Sequence, residues 1–124
     1  MTRLLIAATI FLSTTANAQL FEGWTTKEKV LFAVSELAQV ADYQTTRDLL
    51  YGYPKGTYYE RNIFLGPQPS RAKLNLFQAA SMVGNYFIAD RLNHEDREKW
   101  LTSVIIIEVL ATRHNIQIGA RINF

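Results

Sequence analysis

The chain has no cysteine, only three prolines and six glycines among 124 residues, and no surplus of one charge sign. The lack of cysteine excludes a disulfide framework, a lipoprotein anchor and a Cys-His catalytic pair. Thirteen bases stand against eleven acids, spread singly with no basic stripe, which excludes nucleic acid as a partner. Long hydrophobic runs are also missing: each apolar stretch falls short of the roughly 20 residues that span a bilayer. What is present is an apolar content of 48% with 19% charged residues, enough for one packed domain and too much for a disordered chain.

The first residues have the form of an export signal. Arg3 gives a basic start, Leu4 to Leu12 form a short apolar run, and Ala16-Asn17-Ala18 is a small-residue cleavage site. The leader is therefore assigned to residues 1–18, and Gln19 opens a mature domain of residues 19–124. Loss of Arg3 leaves twelve bases against eleven acids. The expected location is the bacterial cell envelope, at the inner membrane, with the periplasm as the alternative.

Three helices follow. Thr25 or Thr26 ahead of Lys27-Glu28-Lys29 is a hydroxyl cap, and the pattern runs from about residue 26 to 51, where Gly52 stops it. Val30 to Ala41 is apolar nearly all round, with Glu36, Gln39, Tyr43 and Arg47 as the only polar stripe. Asp42 falls outside that stripe, among small and apolar residues. Gly52, Pro54 and Gly56 punctuate a connector, and Pro67 and Pro69 prevent a helix there. Ser70 caps the second helix, about 71–92, with Arg71 and Lys73 set against the helix dipole. On it Asn75, Gln78, Ser81 and Asn85 form a polar stripe without charge, as at helix contacts inside membranes. Asn93 or His94 caps the third helix, about 94–113, which places Glu108 on an apolar face.

From Asn115 to Phe124 apolar and polar residues alternate, the pattern of a β-strand. As an edge strand it would pair with a second copy or another envelope protein. The resulting fold is all-α: a three-helix bundle after a cleaved signal peptide, membrane-embedded, with a short C-terminal strand. The lipid bilayer is the expected partner. Lys55, Arg61, Arg71 and Lys73 against Glu60 alone place the connector on the cytoplasmic side. A soluble periplasmic bundle is the alternative.

Asp42-Tyr43-Gln44-Thr45, then Glu60-Arg61-Asn62-Ile63-Phe64-Leu65-Gly66, then an Asn-rich helix, resembles small exported or membrane proteins of bacteria and their phages. In that group the motif reads Asp-x-x-Thr on a helix followed by Glu-x-Asn-Pro-x-Leu-Gly. Ile63 stands here at the proline position. The resemblance implies an envelope protein of bacterial or prophage origin and carries no activity with it.

One polar cluster is expected where the first helix, the motif loop and the second helix meet: Asp42, Thr45, Glu60, Asn62, Asn75, Gln78 and Asn85, with Glu108 as a further acid. Such residues serve as interhelical glue or as a working site, since acids and amides are costly in an apolar setting. Asp42 with Glu60 has the makings of a glycosidase pair directed at the cell wall, but no nucleophile elbow, HExxH or phosphate loop accompanies it. A divalent cation on Asp42, Glu60 and Glu108 is weakly specified, and no cofactor or metal is expected. The leading expectation is a structural or interaction role. A proton or ion pathway built on the carboxylates is the alternative, and a hydrolase the lesser one.

Overall fold

The computed structural model describes residues 20–122. The leader, its cleavage site and the last two positions of the expected strand lie outside the described residues. Three helices are formed: α1 (Thr26–Tyr51), α2 (Arg71–Asp90) and α3 (His94–Gln117). Each begins as its sequence dictates. Thr25 Oγ1 accepts from the Glu28 amide at 3.1 Å while Glu28 Oε2 accepts from the Thr25 amide at 2.7 Å, a complete capping box. Ser70 caps α2 through the Lys73 amide at 3.1 Å, and Asn93 caps α3 through the Asp96 amide at 2.9 Å.

α2 stops two residues early. Arg91 and Leu92 turn out of the helix, and the Arg97 guanidinium takes the carbonyls of Ala89 at 2.8 Å and Leu92 at 2.7 Å. The C-terminal carbonyls that a further turn would have satisfied are satisfied by this side chain.

The C-terminal strand does not form. α3 continues through Asn115, Ile116 and Gln117, then a turn at Ile118 and Gly119 leads out, and no strand occurs among the described residues. Two-residue alternation over so short a stretch is equally compatible with a last helical turn whose one inward residue is polar. Asn115 is that residue, and its side chain bonds back to α1. The pairing edge expected over Asn115–Phe124 is absent from residues 115–122.

No helix among the described residues is long and apolar enough to cross a membrane, which corrects the spanning expectation. Glu36, Asp42 and Arg47 interrupt α1, and Glu108 interrupts α3, before either reaches spanning length.

Two apolar clusters bracket the bundle. At one end Trp24, Phe32, Tyr86, Ala89 and Leu101 pack together, with Phe21 edge-on to Trp24 at 5.0 Å between ring centres. At the other, Tyr43, Leu50, Leu65 and Leu74 close the base. Polar side chains share the interior with them. Glu28, Ser35, Gln39, Thr45, Asn85 and Arg97 are buried, whereas Val30, Val34 and Leu37 of α1 and Ile106, Ile107, Val109 and Leu110 of α3 are exposed. Gln39 and Tyr43 of the polar stripe on α1 are buried, and Glu36 is partly so. The strongest polar link is the Glu28–Arg97 pair, 3.0 Å apart, with the Glu28 side chain 0% exposed. Burial alone would raise the Glu28 carboxyl, but bonds from Thr25, His94 and Arg97 hold it below the ordinary value.

Candidate functional site

The most chemically loaded point lies halfway along α1, where Asp42 meets α3. Thr45, one turn on, returns its hydroxyl to the carbonyls of Ala41 and Asp42, each at 3.0 Å. Asn115 Nδ2 then reaches across, donating to Asp42 Oδ1 at 3.0 Å, Thr45 Oγ1 at 3.0 Å and Thr46 Oγ1 at 3.2 Å. Glu108, two turns before Asn115 on the same face of α3, hydrogen-bonds the Asp42 carboxyl. Two ionised carboxylates only accept, so this contact requires a proton between them.

Burial raises the Glu108 carboxyl, and the charge and hydrogen bond of Asp42 raise it further, to about 8. Asp42 is also raised, first by burial and then by the charge of Glu60, against the lowering effect of Glu108, Thr46 and Asn115. Both carboxyls are thus biased toward the protonated form.

Beside this pair is a cleft of about 510 Å³. Asp42, Tyr43, Thr46, Glu60, Asn62, Gln78, His114 and Asn115 give it polar walls, and Leu49, Leu50, Leu65, Leu74 and Phe77 an apolar floor. Gln78 Nε2 is buried and has no hydrogen-bond partner among the described residues.

The motif loop supplies one wall and is rigid by its own bonds. The Glu60 amide donates to the Pro67 carbonyl at 2.9 Å, and the Asn62 amide to Glu60 Oε1 at 2.8 Å. Asn62 Oδ1 accepts from the Phe64 amide at 3.0 Å, while its carbonyl accepts from Leu65 and Gly66 at 3.1 Å each. An Asx turn thus does at Asn62 what a proline at position 63 would otherwise do. It seats Leu65 in the lower cluster and leaves Ile63 and Phe64 bare at the tip.

The single polar cluster expected from sequence is two. Asp42 and Glu108 make the carboxyl pair, tied to Thr45 through Asn115, with Glu60, Asn62 and Gln78 around the cleft. Asn75 bonds the Tyr43 hydroxyl at its edge. Asn85 belongs to a separate group nearer the aromatic end. Its Nδ2 donates to Ser35 Oγ and Glu36 Oε1, both at 2.8 Å, and its Oδ1 accepts from Trp100 Nε1 at 2.8 Å. Burial raises the Glu36 carboxyl to about 7, against the opposing bonds of Asn85 and Gln39.

Sequence reasoning overlooked Glu36, His114 and Asn115 as members of these groups. Asn115 was discoverable: seven residues after Glu108 is two helical turns, hence the same face. Asp42, Glu60 and Glu108 do not form a three-ligand metal group among the described residues. No family model, characterised protein or solved structure matches this chain. What the arrangement can do follows from its own geometry: it sets two carboxyls at a helix–helix contact and presents amide, carboxyl and phenol groups to one cleft.

Proposed function

We propose that the chain is a small helical protein of the cell envelope with a structural or interaction role, docked on the bilayer through the aliphatic faces of α1 and α3. One observation carries this reading: aliphatic side chains of α1 and α3 lie exposed while polar ones are buried. Glu28, Gln39, Asn85 and Arg97 share the interior with the two apolar clusters, while Leu37 is 67% and Ile107 63% exposed. An apolar surrounding selects that arrangement, because there the polar groups must find one another. The leader-like first residues point the same way. Neither face needs to span; a helix with one aliphatic side lies in the interfacial plane.

Vesicle flotation tests it. The purified chain is expected to float with phospholipid vesicles at high salt, where apolar contact persists and purely electrostatic attraction is screened. Leu37→Glu with Leu110→Glu should leave helical content intact and abolish flotation. A wild-type chain that remains with the unbound fraction refutes the proposal.

A second reading is favoured by the carboxyl–carboxyl bond, which fits proton handling at Asp42 and Glu108. With no spanning helix among the described residues, that role is a response to pH at the α1–α3 contact.

A further inference from the structure

α2 carries an exposed seam on the side away from α1 and α3. Lys73, Leu76, Ala80, Val83, Phe87 and Asp90 recur at alternating steps of three and four, the spacing of residues that face a partner helix. All six are exposed, Leu76 at 72%, Val83 at 44% and Phe87 at 50%. Between Lys73 and Asp90 the helix has no charged residue, whereas a solvated helix face normally carries several. Gly84 borders the seam, and a Cβ built there meets nothing within 4 Å, so a neighbouring backbone has room to approach.

The order of the seam selects the partner. The six positions are symmetric about the midpoint between Ser81 and Met82. An antiparallel copy of α2 therefore sets Leu76 against Phe87 of the partner subunit, Ala80 against the partner's Val83, and Lys73 against the partner's Asp90. Large residues meet large ones, the smaller ones meet at the crossing, and each end closes with opposite charges. The same pairing removes an anomaly. Arg71 and Lys73 sit at the positive end of their own helix dipole, an unfavourable place for bases. An antiparallel copy brings the negative end of its dipole alongside them. Asp90 is exposed, although its Oδ1 also accepts a bond from Trp24 Nε1 of its own chain at 2.9 Å.

We propose that α2 is a homodimer interface, pairing antiparallel with a second copy of this chain about a two-fold axis near Ser81–Met82. The proposal deepens the interaction role by naming a partner, and it uses a surface distinct from the α1–α3 faces.

A chain without cysteine makes the test clean. Lys73→Cys with Asp90→Cys leaves the apolar seam intact, and the two thiols lie about 25 Å apart along one helix, too far to bridge within a chain. Mild oxidation of this double variant is expected to give a covalent dimer, while neither single variant does. Should Asp90→Cys unfold the chain by losing Trp24, Leu76→Cys with Phe87→Cys reports the same register. Val83→Glu should reduce dimer yield about tenfold, the usual effect of disrupting an interface centre, and leave flotation unchanged. Single variants that cross-link as readily as the pair, or a wild-type chain that sediments as a monomer, overturn the proposal. A chain that floats but does not cross-link retains the membrane reading and loses this one.

Discussion

Raising the pH should loosen this protein across the neutral range, unlike most small domains. The group responsible is Glu108. Its folded value of about 8 lies well above the ordinary 4.5, so the folded chain keeps a proton that the unfolded chain releases. The contribution is fully present below the unfolded value and is lost as pH rises through about 8. A wholly dry carboxyl moved that far corresponds to roughly 5 kcal/mol. Glu108 is open to solvent over part of its surface, which screens the charge, so about 1–2 kcal/mol is the expected loss. Glu36, raised to about 7, adds in the same direction. Urea unfolding at pH 5, 7 and 9 measures the slope. Wild type should lose stability at each step, and Glu108→Gln should flatten most of the decline because a neutral amide still donates to Asp42. Asp42→Asn should flatten a smaller share, because Glu108 loses a neighbouring charge but stays buried. A wild-type midpoint that is constant or rises from pH 5 to 9 refutes the shared proton, and with it the pH reading of the cleft.

Two further outcomes follow from the packing. Arg97→Leu leaves the Glu28 carboxylate buried without its partner and costs about 3–5 kcal/mol, seen as a fall in thermal midpoint of more than 10 °C; Glu28→Gln with Arg97→Leu should recover part of it. Gly119→Ala meets two obstacles, a backbone angle φ of 125° and a Cβ 2.8 Å from the Tyr58 hydroxyl. That hydroxyl donates to the Ile118 carbonyl at 2.7 Å, and Tyr53 donates to the Gly119 carbonyl at 2.6 Å. Loss of this clasp should speed proteolysis of the connector at residues 52–58, and unchanged cleavage would show that the clasp does not restrain it.

The helices were legible because their starts are written in side chains that cap: Thr25, Ser70 and Asn93 each take the expected amide. Their ends were less so. α2 stops where Arg97, a residue of another helix, intercepts its carbonyls, and such an interception leaves no mark in the local sequence. α3 runs on because Asn115 finds Asp42 and Thr45, a tertiary reward that overrides the alternation. For the site, periodicity singled out Asp42 and Glu108 as acids on apolar faces, and the structure brings them together. It misjudged Asn85, which shares a helix face with Gln78 but bonds one level higher, to Ser35 and Glu36. A helical wheel gives relative direction only, and on α1 Ser35, Gln39 and Thr45 are buried beside Phe32, Ala38 and Leu49.

The bonds that join α1 to α3 carry a consequence for how the chain is made. Glu28 and Arg97 are 69 positions apart, and Asp42 and Asn115 are 73 apart. The α1–α3 contact is the most extensive in the bundle. Helical proteins generally fold fast because their contacts are local. Here the first helix has to wait for the last. Until α3 has been synthesised, the inward acids and amides of α1 lack most of their partners, and its aliphatic face is already complete. For that interval the nascent chain has more to gain from an apolar surface than from itself.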